Sequence, residues 1–184
     1  AEGLSLCDLD DGAIEHRLAQ ARADLCGRTE PGSDGGDEFS WLAERAAGEL
    51  SLALTVQRDQ QRAGLCRTAA SELWFGGKDA VILRSRKGRR LELCGRNDRL
   101  DLAGSAAIVF DYKTSAGVKV SLSEMYHALN IQLLVYLLAG ARLNLEHRGR
   151  PLQPAGAFFL PLSPAPLDVD HPDQAKSSRW KAYQ

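Results

Sequence analysis

From residue 38 to 61 the apolar side chains Phe39, Leu42, Ala46, Leu50, Ala53 and Leu54 recur at helical spacing. That period lays them along one face and predicts a long amphipathic helix from about Glu38 to Gln61, with Gly64 near its end. A shorter helical pattern, about Ala13 to Leu25, follows Asp10 and Asp11. Carboxylates there would cap free amides and favour the positive helix end. The intervening Gly27 to Asp37, rich in Gly, Ser and acidic residues, reads as a loop.

Beyond Gly64 the period shortens. Glu72 to Phe75 begins a strand-forming portion, and Gly76-Gly77 turns the chain. Ala80 to Arg84 and Arg90 to Leu100 read as a hairpin around Lys87-Gly88. On its second strand Leu91, Leu93 and, by alternation, Asn97 share one face, opposite Glu92, Cys94, Arg96 and Asp98. After the turn at Ala103-Gly104, Ser105 to Thr114 returns as the next strand. Ser121 and Glu124 form a capping-box pattern for a helix ending before Gly140, with Met125, Leu129, Gln132 and Tyr136 on one stripe. Leu143 to Gly149 is expected as a loop or short strand, Ala157 to Leu162 as a strand, and the Pro-rich remainder as poorly packed. These elements predict one α/β domain over residues 1–184: a helical portion 1–64, a sheet with its following helix 65–162, and a tail 163–184. The first residue is Ala, so a domain excised from a longer chain is expected.

One strand carries charges that packing does not explain. Ala106 to Phe110 are wholly apolar, yet Asp111 and Lys113 follow, and residues i and i+2 of a strand point to the same face. An exposed ion pair contributes roughly 0 to 1 kcal/mol, which is no reason to put two charges on a central strand. A second aspartate, Asp98, lies thirteen positions earlier near the end of the neighbouring strand, so the two carboxylates are expected to converge. Carboxylates holding a divalent cation, with an ammonium beside them, suit hydrolysis of a phosphodiester. Taken alone, Asp98 is as readily read as the ion-pair partner of Arg96 or Arg99.

Composition narrows the classes. The chain has 184 residues, 44% hydrophobic and 26% charged, with a formal net charge of −1 that hides a basic stretch. Seven Arg or Lys fall between Arg84 and Arg99, against Glu92 and Asp98. Such a stretch suits a polyanion, although each residue could equally be a solvated hairpin end. Cys7, Cys26, Cys66 and Cys94 are widely spaced, which indicates neither a zinc site nor a disulfide framework. Cys94 reads as a small core residue, consistent with a reducing cytosol. No apolar run approaches a membrane span, and residues 1–25 lack the pattern of a signal peptide. A cytoplasmic location is the expectation. There is no G-x-x-x-x-G-K-[ST] loop, so ATP hydrolysis would reside elsewhere.

Taken in order, Gly12-Ala13-Ile14-Glu15-His16, Gly95 to Asp101, Asp111-Tyr112-Lys113 and Gln132-Leu133-Leu134-Val135-Tyr136 resemble the motifs of RecB-type nucleases of the PD-(D/E)XK superfamily. Glu72 to Gly77 and the run Met125 to Gln132 are similar, within that group, to the nuclease domain of AddB-type helicase-nucleases. The resemblance covers roughly residues 10–162. It implies a restriction-endonuclease-like PD-(D/E)XK core, a mixed central sheet flanked by helices. Asp98 and Asp111 would ligate Mg²⁺ or Mn²⁺, with the Tyr112 carbonyl completing the coordination and His16 approaching the metal or its water. Lys113 would sit beside the attacking water, Gln132 and Tyr136 would brace the site, and Glu72 would support it. Arg84, Arg86, Arg96 and Arg99 would contact phosphates without reading bases.

The implied activity is metal-dependent, exonuclease-type cleavage of DNA within a helicase-nuclease that acts in double-strand-break repair and recombination. Single-stranded ends and an AddA-like helicase-nuclease chain are the implied partners, with no membrane. The alternatives are a stand-alone RecB-like nuclease of the phage-exonuclease kind and a catalytically silent DNA-binding module of the same fold. Two departures stand out. Asn97 occupies a position where this family usually has a branched apolar residue, and its amide needs partners if it packs inside. AddB-type domains commonly carry an iron-sulfur cluster on late cysteines, whereas no cysteine follows Cys94, so a cluster is not supported within this chain.

Overall fold

A computed structural model of the chain describes residues 5–27, 36–115, 119–143, 152–163 and 171. Chain contacts divide it into two compact units: residues 1–64 with 114–116 and 161–184, and residues 65–113 with 117–160. The expected loop after Gly27, the segment after Leu143 and the Pro-rich tail lie largely outside the described residues.

The helical unit holds α1 (Asp11–Cys26) and α2 (Gly36–Ala63). The Asp10 side chain caps α1 by accepting the Ala13 N–H at 2.7 Å. Asp11, expected to share that role, pairs instead with the buried guanidinium of Arg58 on α2. Arg62, one turn further on, donates to the carbonyls of Cys7 and Leu9, so the chain entering α1 is tied to α2 by side-chain-to-backbone bonds.

The sheet unit contains β1 (Arg67–Phe75), β2 (Val81–Arg84), β3 (Arg90–Leu93), β4 (Gly95–Ala103), β5 (Ala106–Lys113), α3 (Leu122–Tyr126), α4 (Gln132–Leu143) and β6 (Gln153–Pro161). The main sheet has the order β1-β4-β5-β6, with β4 antiparallel to both β1 and β5. Gln153 N–H donates to the Ser105 carbonyl and Phe158 stacks on Phe110, a constant offset that makes β6 parallel to β5. The sheet is therefore mixed, and the β5–α4–β6 crossover puts α4 on one face. Leu100, Leu102, Ala107 and Val109 from that face pack with Ala141 and Leu152. A Cβ on Gly140 would lie 3.1 Å from Leu100 Cδ1 and 3.3 Å from Val109 Cγ1, so α4 approaches the sheet as closely as only glycine allows.

Two expected elements are divided. The strand Arg90 to Leu100 breaks at Cys94: β3 pairs with β2 as a separate two-stranded ribbon, and β4 joins the main sheet. Cys94, at the break, is exposed rather than a core residue. Gly95 permits the change, because a Cβ there would meet the Phe75 ring at 3.0 Å. The helix expected from Ser121 to before Gly140 is likewise split into α3 and α4. Ser121 caps α3 as the sequence predicts, but His127 ends it and Ala128 takes φ 56°. Leu129 N–H returns to the Glu124 carbonyl and Ala128 N–H to that of Met125, the paired bonds of a left-handed helix stop.

Candidate active site

β5 delivers Asp111 and Lys113 to the face covered by α4, because alternation continues from Ala107 and Val109. Asp111 is only 3% exposed. A carboxylate so buried demands partners, and its neighbours supply them. Gln132, the first residue of α4, donates from Nε2 to Asp111 Oδ1 at 2.8 Å and accepts from Lys113 Nζ through Oε1 at 3.2 Å. The Lys113 ammonium lies 2.5 Å from Asp111 Oδ2, yet that oxygen has no hydrogen bond of good geometry, so the contact is one of charge rather than of a directed donor. Tyr136, one turn along α4, accepts from Gln132 Nε2 at 3.0 Å and packs edge-on against Phe75. These bonds fix which end of the Gln132 amide faces each partner.

Asp98 sits across the β4–β5 pair. Its Oδ2 accepts the backbone N–H of Tyr112 at 2.8 Å, which orients the carboxylate beside the strand that bears Asp111 and Lys113. Here β4 is irregular: regular pairing with β5 begins only at Arg99, and Asn97 Oδ1 takes the Arg99 N–H at 3.3 Å. Asn97 is fully buried, as alternation predicts, with its Nδ2 lacking a partner among the described residues.

The donor set fits a hard divalent cation. Mg²⁺ and Mn²⁺ take oxygen ligands, and Mg²⁺ typically binds through one or two carboxylates while keeping several waters. The chain offers two convergent carboxylates, one with a buried oxygen that no directed donor satisfies. Among the described residues no three His, Cys, Asp or Glu side chains gather as a metal site, so water or substrate oxygens would complete the coordination.

The remaining expected residues separate by surroundings. Arg99 does not belong with the phosphate contacts. It is 5% exposed, and its Nε and Nη2 both bond the Asp101 carboxylate while its plane covers the Phe110 ring at 4.7 Å. Burial works against its charge, but hydrogen bonds from Asp101 and Tyr112 outweigh that and hold its pKa above the ordinary arginine value. Arg96 is exposed and pairs with Glu72 at 2.7 Å, where Glu72 adopts φ 54° in β1. Arg84 and Arg86 are exposed at the outer end of the β2–β3 ribbon. His16 is exposed on α1 of the helical unit, whereas Asp98, Asp111 and Lys113 belong to the sheet unit.

Phe159 on β6 has a place that its strand pattern did not reveal. Its ring lies 4.8 Å from Lys113 Nζ, an aromatic face turned to the ammonium. Parallel pairing across a crossover aligned it with Lys113, and no local motif in the sequence encodes such a register.

Comparison with known proteins agrees with this geometry. Three relatives are named as the AddB-type component of an ATP-dependent helicase/deoxyribonuclease. The protein from Desulforudis audaxviator is 48% identical over 129 residues, 65% of this chain and 10% of its own length. The one from Carboxydothermus hydrogenoformans is 38% identical over 53% of this chain and 9% of its own, and that from Bacillus subtilis 31% over 60% and 10%. The chain thus spans about a tenth of the length of these curated relatives. The family model of the PD-(D/E)XK nuclease superfamily matches residues 4–183. Since that match takes in the β4–β5 pair with Asp98, Asp111 and Lys113 as well as α4 with Gln132, this chain belongs to the PD-(D/E)XK nuclease superfamily.

Proposed function

We propose that this chain hydrolyses DNA phosphodiester bonds with Mg²⁺ or Mn²⁺, as the nuclease domain of a helicase-nuclease. The observation that carries this reading is the joint hold of Gln132 on Asp111 and Lys113, which sets a carboxylate and an ammonium side by side on a buried strand. Asp98 and Asp111 would hold the cation, with the Tyr112 carbonyl as a further donor and His16 contributing from the helical unit. Bound there, the cation supplies Lewis-acid polarisation of the phosphate and a more acidic water.

Lys113 orients the attacking water and offsets the charge that develops on the phosphoryl oxygens. Gln132 keeps Lys113 from swinging away, and Tyr136 fixes the Gln132 amide. Asp98 is held ready by the Tyr112 N–H, so little reorganisation accompanies reaction. Arg84, Arg86 and Arg96 contact phosphates, with Glu72 positioning Arg96. Backbone contacts of this kind give sequence-independent, salt-sensitive binding.

The names of the relatives support a longer assembly in which this domain degrades strands delivered by a helicase. In that reading it acts as an exonuclease on single-stranded ends, in double-strand-break repair and recombination, with an AddA-like partner in the cytoplasm. Among the described residues no helix is long and apolar enough to cross a membrane. The test is cleavage of end-labelled single-stranded DNA by the full chain with Mg²⁺, Mn²⁺ or EDTA. Cleavage should require the metal and disappear in Asp111→Ala and Lys113→Ala; metal-dependent cleavage untouched by both substitutions sinks the proposed site.

A further inference from the structure

The segment between the strand of Lys113 and the helix of Gln132 exposes an unusual amount of apolar surface. Within ten residues Val120 is 44% exposed, Leu122 and Leu129 79%, and Tyr126 86%. Scattered exposed apolar residues need no explanation, but a concentration of them marks a binding surface. This concentration is rigid. Ser121 caps α3, Leu129 and Ala128 close its far end on Glu124 and Met125, and Ala128 accepts a left-handed φ to do so. The Tyr126 ring is braced edge-on by His127, with centroids 5.2 Å apart at 85°, which leaves its face open.

The same segment reaches the reacting groups. Val120, Ser121, Met125, Asn130, Leu133 and Phe159 line one shallow cleft, and Phe159 also carries the Lys113 ammonium on its ring. The cleft and the candidate active site share a wall. Charges flanking it favour an anion, since Lys113 and exposed Lys119 stand against one acid, Glu124, among the described residues 119–131.

We infer that Tyr126 is a stacking platform for an unpaired DNA base, holding a single strand so that its backbone passes the Phe159 wall toward Lys113. This rests on the reading of the site as a DNA phosphodiesterase and adds the element that selects strand type. A rigid, exposed aromatic face loses little freedom when a base covers it, and every base offers a face. In a duplex those faces are already stacked on their neighbours, so the platform favours unpaired DNA. A chain-to-chain or protein contact on the same surface would leave oligonucleotide affinity unchanged.

The experiment is fluorescence binding of a thymidine oligonucleotide bearing one 2-aminopurine to the full chain in EDTA, with a duplex of equal length as comparison. Tyr126→Leu should weaken single-strand binding roughly tenfold, within the range seen when stacking aromatics are removed, and should abolish the stacking quench. Tyr126→Phe and Tyr126→Trp should keep both, and duplex affinity should be unmoved. Equal single-strand affinity and quench in Tyr126→Leu overturn the inference, as do parallel losses for both strand types or no single-strand binding by the native chain. Cleavage by Asp111→Asn and Lys113→Ala, followed in Mg²⁺, separates the two claims. If both are inactive while Tyr126→Leu binds normally, the platform alone fails; if both cleave normally, the hydrolytic reading fails.

Discussion

Gln132 Nε2 donates to Asp111 Oδ1 at 2.8 Å, so the first residue of a helix fixes a buried carboxylate on the neighbouring strand. Because the other end of the same amide accepts from Lys113, the glutamine is sensitive to charge as well as to length. Gln132→Glu places a carboxylate against Asp111 and draws Lys113 toward it. Gln132→Ala leaves Asp111 without its donor. Groups that orient metal ligands typically cost about 10 to 100-fold when removed. Both variants should lose roughly that in single-turnover cleavage, whereas Tyr136→Phe, which removes one neutral bond, should lose less. Equal rates for native chain and Gln132→Ala would show that the bridge is incidental.

Asp98 has a structural duty that can be separated from its proposed role as a ligand. Asp98→Asn retains an oxygen for the Tyr112 N–H, and Asp98→Ala does not. A hydrogen bond to a charged group contributes about 1.5 to 3 kcal/mol. Urea unfolding should therefore place Asp98→Ala below Asp98→Asn in stability by about 1 kcal/mol or more, with both inactive in cleavage. Full activity in Asp98→Asn contradicts a charged ligand at this position.

The break between α3 and α4 makes its own prediction. At a left-handed position Gly is favoured over Ala by about 1 kcal/mol, whereas inside a helix it costs about as much. Ala128→Gly should consequently stabilise the chain by about 0.5 to 1 kcal/mol in urea unfolding. A loss of similar size would mean that the segment is one continuous helix.

That break also shows where the sequence stopped being informative. Helix stops are usually recognised by Gly, and with Ala128 in that place the stripe through Met125, Leu129, Gln132 and Tyr136 reads as unbroken. Gln132 and Tyr136 survive the error because they lie one turn apart on α4 alone. The pairing of Asp111 with Lys113 was legible for a local reason, two charges at i and i+2 after an apolar run. Arg99 was misread for the opposite reason. Alternation showed a basic side chain on β4, but Asp101 and Phe110, which enclose it, are aligned by the sheet register rather than by any motif.

Enclosure makes Arg99 a matter of stability. Removing one partner of a buried ion pair leaves the other charge uncompensated, at a cost of about 3 to 5 kcal/mol. Asp101→Ala should destabilise by that order, and replacing Arg99 and Asp101 together by apolar residues of similar volume should recover most of it. If Asp101→Ala unfolds at the native urea midpoint, the pair is not buried as described.

The central claim is that Asp98 and Asp111 together hold a divalent cation beside Lys113, and the most direct measurement is Mn²⁺ binding by titration calorimetry to the native chain, Asp98→Asn and Asp111→Asn. The account predicts binding to the native chain that each substitution weakens by at least tenfold while the fold, checked by circular dichroism, is kept. Mn²⁺ affinity unchanged in both folded variants would contradict it.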